Sequence, residues 1–498
     1  MNVEKWIVEA GIQTLQQAME SGEASSEEIV QAYIHRIHTF DGKIRSVLEI
    51  NPEAIEIARS LDIERKEKGS RGPLHGIPIL LKDNIDTADQ MHTSAGSITL
   101  EHSLAQQDAV VADKLRAVGA ILLGKTNMTE WAGFMSVDIW AGYSSRGGLT
   151  LNPYGPGELF VGGSSSGSAV AVAANFGAAA IGTETAGSII GPASQNNVVG
   201  IKPTVGLIRQ DGIIPIAFSQ DSVGPIARTV TDAAILLEVL EERGVQQWHG
   251  THGTKDMDGS YISSLDTAFL KQARIGIPRY YYQHLDKDRL EVIEAAIHVL
   301  RQQGATIIDP VHLPCEDAHW DANVMRYEFK YALNNYLSRL AEHIPVHSLA
   351  EVIAFNEQHA EKTLKYGQGT LMWAEETSGT LTEQEYLDSL SYNREMAGEK
   401  GIDYALNQHK LDALLFLGGE GGSDLAARAG YPIITVPGGY AEEGVIAPGG
   451  YITKGPQGIS FVGTAWSEPA LIRIAFGFEQ ATEHRVAPEI IFNKFTTM

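Results

Sequence analysis

Two glycine- and serine-rich turns, separated by a run of small apolar residues, constrain the fold of this chain most strongly. The first turn has the sequence GGSSSGS at residues 162–168, and the second, TETAGS, spans residues 183–188. Glycine permits positive φ and lets another molecule approach the main chain closely. Two such turns can bring serine hydroxyls and free backbone N–H groups to one point. Acyl transfer requires this combination, because it needs a nucleophile and donors for the developing oxyanion.

A lysine follows a short apolar segment much earlier in the chain. Residues 77–81 (IPILL) predict a buried strand, and Lys82 comes directly after it. Open α/β sheets bind ligands at the carboxyl ends of their strands. Burial lowers the pKa of a lysine, so that its neutral amine can act as a general base. The alternative is a structural lysine paired with a neighbouring acid such as Asp83.

These segments resemble the characteristic motifs of the amidase signature family. Four pieces carry the resemblance: GIPILLKDN at 76–84, GGSSSGS at 162–168, GTETAGSII at 182–190 and GIKPT at 200–204. Ser164 and Ser188 also have the family's spacing of 24 residues (188 − 164 = 24). Since the similar pattern extends over most of residues 8–240 and 410–490, it spans the expected fold.

The resemblance implies a mechanism as well as a fold. Ser188 would be the nucleophile that forms an acyl-ester, and Ser164 would relay its proton to Lys82. A cis peptide bond is implied between Gly163 and Ser164. The oxyanion hole would consist of the backbone N–H groups of Thr185, Ala186, Gly187 and Ser188. The expected activity is hydrolysis of a carboxylic amide, with release of ammonia or an amine and without a metal or cofactor.

Four positions depart from the family motifs. Ser166 and Ala186 stand where glycine is usual, Glu184 where aspartate is commoner, and Ile190 where arginine is usual. The missing arginine argues against the amidase-like subunits of tRNA-dependent amidotransferases, and the pattern is more similar to bacterial peptide amidases and related broad amidases. An ammonia-supplying amidotransferase subunit remains the alternative function. Peptide C-terminal, aryl and aliphatic amides all remain open as substrates.

A second alternative is an esterase of the α/β-hydrolase type. Residues 163–167 match G-x-S-x-G, the nucleophile elbow, with Ser165 as the nucleophile. This alternative needs a late histidine such as His484, which lies in a polar segment typical of a surface.

Cys315 is a weaker nucleophile candidate, because no glycine-rich turn surrounds it, and a packing or surface role is expected.

The pattern of elements predicts an α/β fold with a central mixed β-sheet flanked by helices on both faces. We expect one amidase domain over residues 1–498. Its predicted parts are N-terminal helices (1–70), a catalytic core (76–240) with the signature block (162–204), a variable helical substrate-specificity segment (316–405) and the C-terminal part of the core (410–490).

The net charge limits the kinds of partner that the chain can bind, and the cysteine content indicates its cellular compartment. The chain has 62 acidic and 38 basic residues, a formal net charge of −24, which argues against binding nucleic acid through a basic face. A single cysteine excludes an internal disulfide and favours the cytoplasm. We expect no signal peptide, no membrane span and no metal site, since the histidines of HGTHG at 249–253 suit a solvated loop. The expected partner is a small-molecule or peptide amide, and a homodimer is left open.

Overall fold

The structure is a computed structural model that describes residues 3–241, 260–447 and 450–489. The HGTHG segment at 249–253, expected to be a solvated loop, lies outside these residues. The described part forms fifteen β-strands. They are β1 (Val47–Ile50), β2 (Pro78–Lys82), β3 (Ile121–Thr126), β4 (Tyr143–Ser144), β5 (Gly148–Leu149), β6 (Ala179–Glu184), β7 (Val199–Lys202), β8 (Ser222–Ala227), β9 (Arg274–Gly276), β10 (Thr306–Ile308), β11 (Ala413–Leu417), β12 (Ile433–Ala441), β13 (Ile446–Ala447), β14 (Gly450–Tyr451) and β15 (Gly455–Val462).

Eighteen α-helices complete the regular structure of the described ranges, together with short 3₁₀ and π segments. The helices are α1 (Val3–Trp6), α2 (Ile12–Ser21), α3 (Ser26–Arg36), α4 (Gly42–Ile44), α5 (Ala54–Lys68), α6 (Val110–Ala117), α7 (Ser166–Ala173), α8 (Ile190–Gln195), α9 (Val230–Leu240), α10 (Lys287–Gln302), α11 (Asn323–Leu337), α12 (Leu349–Gln358), α13 (Ala360–Thr363), α14 (Gly369–Glu375), α15 (Gln384–Asn393), α16 (Asp403–His409), α17 (Gly422–Ala429) and α18 (Glu468–Thr482).

Eleven of the strands form one mixed sheet, in the order β1-β3-β2-β6-β8-β7-β12-β15-β11-β9-β10. Strands β3, β2 and β6 are parallel neighbours, as are β11, β9 and β10, whereas the other neighbours are antiparallel. Every residue of β2, β3, β6, β8 and β11 is buried. Because successive side chains point to opposite faces, both faces of the sheet are covered. The predicted mixed sheet flanked by helices is confirmed.

Local sequence signals place many elements correctly. Ser25 is the N-cap of α3 and forms with Glu28 a capping box of the kind that the S-x-x-E pattern at residues 25–28 indicates. The segment predicted to be helical, 316–405, contains α11 to α15 and the start of α16. One prediction needs correction, because residues 1–70 also include the strand β1.

Strand pairing places Lys82 beside the serine-rich turns. In the parallel pair, Ile79, Leu80 and Leu81 of β2 lie opposite Ala179, Ala180 and Ile181 of β6. Both strands therefore end at the same edge of the sheet, where Lys82 closes β2 and the second turn follows β6. The first turn leads into α7, whose residues are all buried and small enough to pack closely on the sheet.

Candidate active site

The amine of Lys82 lies in the interior, between the two serine-rich turns. Its side chain is fully buried, and Nζ donates to Ser164 Oγ at 2.7 Å. It also donates to the main-chain oxygen of Thr183 at 3.0 Å and to Thr183 Oγ1 at 2.9 Å. Asn84 Nδ2 donates to the same Thr183 hydroxyl at 3.1 Å and thereby fixes its position. The predicted proximity of Lys82 and Ser164 is present, 82 residues apart in the chain.

The electrostatic surroundings lower the pKa of Lys82 to about 7. Burial is the largest cause, since it penalises the charged ammonium, and the negative charges of Glu184 and Asp221 oppose it. The alternative of a Lys82–Asp83 ion pair is wrong. Asp83 Oδ1 instead accepts from Arg146 Nη1 at 3.0 Å, and its Oδ2 accepts from Ser94 Oγ and from the backbone N–H of Gly96.

The Asp83–Arg146 pair gives a prediction about stability. Their side chains are 0% and 13% exposed, so Arg146→Ala leaves a buried carboxylate without its cation. We expect the free energy of unfolding, measured by urea denaturation, to fall by about 3–5 kcal/mol. Lys287→Ala is the matched control, because its ion pair with Glu291 is exposed and should contribute less than about 1 kcal/mol. Equal losses in the two variants would contradict a structural role for the Asp83–Arg146 pair.

The first turn contains the implied cis peptide bond between Gly163 and Ser164, and this expectation is confirmed. The next residue, Ser165, is fully buried and connects the two turns. Its Oγ donates to the main-chain oxygen of Thr183 at 3.0 Å, and its backbone N–H donates to the oxygen of Ser188 at 3.0 Å. His484 is exposed at the surface, where its ring faces Phe478. Ser165 therefore has a structural role, and the esterase alternative lacks its nucleophile.

The carboxylate of Glu184 fixes the backbone that directly follows the second turn. Its Oε2 accepts from the backbone N–H groups of Ile189 at 2.6 Å and Ile190 at 2.9 Å. Within the described ranges, the backbone N–H groups of Thr185, Ala186 and Ser188 donate no hydrogen bond. Gly187 between them has φ +80°, a conformation that favours glycine. The turn therefore presents several N–H groups that can bind an incoming oxygen.

Ser188 itself is 8% exposed. Within the part of the chain that the structure describes, its hydroxyl makes no hydrogen bond, and only its main-chain oxygen is bonded to Ser165. The structure thus brings Lys82 and Ser164 together and places the Ser188 turn beside them. The direct link between the hydroxyls of Ser164 and Ser188 is not formed.

A small cavity adjoins the second turn. Ala132, Gln210 and Phe218 line it, together with Asn84, Thr183, Thr185, Asp221 and residues 213–216. Thr185 Oγ1 donates to Asp221 Oδ1 at 2.5 Å, and burial raises the pKa of Asp221 to about 6. The backbone N–H of Ser219 donates to Glu328 on α11 at 2.8 Å. This bond connects the segment 316–405 to the residue that follows Phe218 of the cavity wall.

The whole chain is similar to known amidases. The family model described as Amidase matches residues 28–472, most of the sequence. The chain belongs to the amidase family. The expected class, a hydrolase of carbon–nitrogen amide bonds, is confirmed by this membership and by the relatives.

Three relatives illustrate the similarity. A probable amidase of Arabidopsis thaliana is 41% identical over 496 residues, covering 97% of this chain and 92% of that protein. The solved native peptide amidase of Stenotrophomonas maltophilia is 42% identical, with a TM-score of 0.85 over 96% of this chain and 98% of that one. A glutamyl-tRNA(Gln) amidotransferase component from Syntrophobacter fumaroxidans is 32% identical over 93% of this chain and 95% of that protein.

Residues without a role in the sequence-based mechanism also contribute to the site. Thr183 and Asn84 lie within the motifs, whereas Asp221 lies outside them, and nothing in the local sequence indicates which residues any of the three contacts.

Ile190, which replaces the usual arginine, is fully buried among apolar side chains. Cys315 is buried in the same apolar cluster, which confirms its packing role. No described helix could span a membrane, and the described residues contain no group of three or more potential metal ligands.

Proposed function

We propose that the protein hydrolyses carboxylic amides through an acyl-enzyme on Ser188, with Ser164 and Lys82 relaying protons. The observation that carries this proposal is the 2.7 Å hydrogen bond between Lys82 Nζ and Ser164 Oγ. It involves a fully buried amine whose pKa lies near 7, so a large fraction is neutral at physiological pH. A neutral amine accepts a proton through the Ser164 hydroxyl, and such a base is what an alcohol nucleophile needs.

The reaction begins with proton transfer away from Ser188. Its proton passes to Ser164 Oγ while the Ser164 proton passes to Lys82 Nζ, and Ser188 Oγ forms a bond to the amide carbon. We expect the Ser188 hydroxyl to turn toward Ser164 when substrate binds, since hydrogen bonds of this kind often tighten only in the substrate complex. Lys82 then returns the proton through Ser164 to the leaving nitrogen as the C–N bond breaks. Water hydrolyses the ester by the same relay.

The oxyanion of the tetrahedral intermediate would bind to the N–H groups of the second turn. Those of Thr185, Ala186 and Ser188 have no acceptor within the described residues, whereas the N–H of Gly187 bonds to the Glu184 carboxylate. One such donor contributes about 3 kcal/mol to the transition state, because its dipole is already oriented before charge develops. Glu184 supports this orientation through its bonds to Ile189 and Ile190.

For the substrate, we propose a peptide or N-acylated amino acid with a C-terminal amide. The support is the 42% identity to the Stenotrophomonas maltophilia peptide amidase over nearly the whole chain. The single-domain organisation, the substrate-specificity role of 316–405 and a cytoplasmic location remain predictions, with a homodimer left open. The bond between Ser219 and Glu328 supports the role of 316–405.

Ammonia release tests the substrate proposal. We expect N-acetyl-phenylalaninamide to be hydrolysed with a kcat/KM at least about tenfold above those of benzamide, propionamide and glutamine, because binding energy from remote groups contributes to catalysis. The Ser188→Ala variant is the background control. Ammonia release from glutamine alone, increased by a co-purified partner protein, would instead favour the amidotransferase alternative.

Covalent trapping tests the nucleophile. We expect phenylmethylsulfonyl fluoride to modify Ser188, because this hydroxyl is partly accessible and can be activated through Ser164. Peptide mass spectrometry locates the adduct. The Lys82→Ala variant should react at least about 100-fold more slowly, since the general base is lost. An adduct on Ser165 would contradict the mechanism.

A further inference from the structure

We propose that Asp221 is a positioning residue of the amidase reaction, whose carboxylate fixes Thr185 in the second serine-rich turn (residues 183–188, the oxyanion turn) and keeps a negative charge facing Lys82. The inference rests on the proposed function, because it assigns a role relative to the Lys82 base and the turn of Ser188. Asp221 lies outside every motif that identified the family.

Strand pairing brings Asp221 to the site. Strands β6 and β8 are antiparallel, and Glu184 lies opposite Ser222. Thr185 follows Glu184 and Asp221 precedes Ser222, so these two residues meet just beyond the paired ends of the strands. Thr185 Oγ1 donates to Asp221 Oδ1 at 2.5 Å, and both residues line the cavity beside the turn.

The two carboxylate oxygens of Asp221 satisfy three hydrogen-bond partners. Its second oxygen, Oδ2, accepts from the backbone N–H groups of Ile216 at 2.9 Å and Ala217 at 3.0 Å. The two backbone N–H groups can only donate, whereas the Thr185 hydroxyl can donate or accept, and an ionised carboxylate accepts from all three. Asparagine can keep the two backbone bonds through its oxygen only by turning its amide toward Thr185, so the bond between Thr185 and residue 221 would reverse its direction. Asp221 thus ties the oxyanion turn to the cavity wall at 216–217.

This tie bears on catalysis because an oxyanion hole works through donors that are oriented before the reaction. The Thr185 side chain is the only one among Thr185, Ala186 and Gly187 that can form a hydrogen bond. Its bond to Asp221 therefore restrains the backbone that carries the proposed N–H donors. Loss of that bond should lower kcat more than it raises KM, because the oxyanion exists only in the transition state and intermediate.

The charge of Asp221 has a second effect. Asp221 lines the same cavity as Thr183, whose hydroxyl accepts from Lys82 Nζ. Among the described groups, Glu184 on β6 and Asp221 before β8 are those whose charges raise the pKa of Lys82 against the effect of burial. Strand β3 is the other neighbour of β2, and the amine of its Lys125 donates to Ile85 O and Thr93 Oγ1. Glu328 on α11 faces Asp221 in turn. Removal of the Asp221 charge should lower the pKa of Lys82 further, so the base would become neutral at lower pH.

Two substitutions separate the hydrogen bond from the charge. Asp221→Asn removes the charge and reverses the bond to Thr185, whereas Thr185→Val removes that bond and keeps the charge. We expect both variants to lower kcat by about 10- to 100-fold. The rising limb of kcat/KM against pH should move lower by about half a unit or more in Asp221→Asn and stay in place in Thr185→Val. Asp211→Asn, which changes an exposed carboxylate, is the control and should change neither property.

A measurement independent of turnover keeps this inference separate from the proposed mechanism. The titration of Lys82, followed by NMR of ¹³Cε-labelled lysine and assigned with Lys82→Met, should also shift to lower pH in Asp221→Asn. If the Ser188→Ala variant remained active, the proposed acyl-enzyme mechanism would be wrong. The titration of Lys82 would still test whether the charge of Asp221 acts on that amine.

An unchanged titration in a folded Asp221→Asn variant would overturn the inference, as would an undiminished kcat in Thr185→Val. If Asp221→Asn does not fold, Asp221→Glu takes its place. Glutamate keeps the charge but misplaces the carboxylate oxygens. We therefore expect kcat to fall while the rising limb of kcat/KM against pH stays in place. A limb that moved in this variant would overturn the charge effect.

Discussion

Ser188→Ala lowers kcat for amide hydrolysis by about 10⁵- to 10⁶-fold, the loss expected when the nucleophile of a cooperating set is removed. Ser188 is the serine of the turn in which the N–H groups of Thr185, Ala186 and Ser188 lack acceptors within the described structure. Its hydroxyl makes no hydrogen bond there, so its loss leaves no buried partner unsatisfied. We therefore expect the thermal unfolding midpoint to remain within about 2 °C of the wild type, as for a substitution without a structural mechanism of destabilisation.

The measurement is single-turnover and steady-state ammonia release, with unfolding followed by circular dichroism. Ser165→Ala is the matched control, since it removes the same atom from a neighbouring serine. Ser165 Oγ bonds to the backbone of Thr183 at both its oxygen and its N–H. This control should lose about 1–3 kcal/mol of stability and retain measurable turnover. A Ser188→Ala variant with wild-type turnover would rule out the acyl-enzyme on this residue.

Lys82→Met is expected to lower kcat/KM by about 10²- to 10⁴-fold, the usual contribution of general acid–base catalysis. In the wild type, protonation of Lys82 below about pH 7 removes the base, so kcat/KM should rise with pH and level off above that value. The variant should lose this rising limb, because no amine titrates in its place. Methionine approximates the shape of the buried side chain without its charge.

The pH profile of kcat/KM between pH 5 and 9 is the measurement. Lys202→Met is the matched control, because Lys202 is also fully buried and its pKa is lowered to about 8. Its amine donates to the main-chain oxygens of Pro203 at 3.1 Å and Tyr431 at 2.7 Å, not to a serine. This control should lose stability but keep the limb near pH 7. A Lys82→Met profile that still rises through pH 7 would assign the limb to another group.

Local sequence was sufficient for the elements that carry the site. The apolar segment before Lys82 predicted a strand, and the observed strand β2 ends at Lys82. The capping box at Ser25 and the two serine-rich turns are likewise evident from the residues alone. Such features depend on residues within a few positions of one another, where turn chemistry and side-chain periodicity act.

The partners of these residues depended on the tertiary structure. Asp83 pairs with Arg146 rather than Lys82, and Thr183 binds Lys82 across 101 residues of sequence. Asp221 reaches Thr185 only because β6 and β8 are antiparallel in one register.

By itself, the sequence determined the amidase family, the motif serines with their spacing, and a lysine at the end of a strand. The tertiary structure decided how deeply Lys82 is buried, which hydroxyl it contacts and which carboxylates face it. The physical reason is that burial and strand register arise from packing between distant segments, and these set the pKa values and hydrogen bonds on which the proposed chemistry depends.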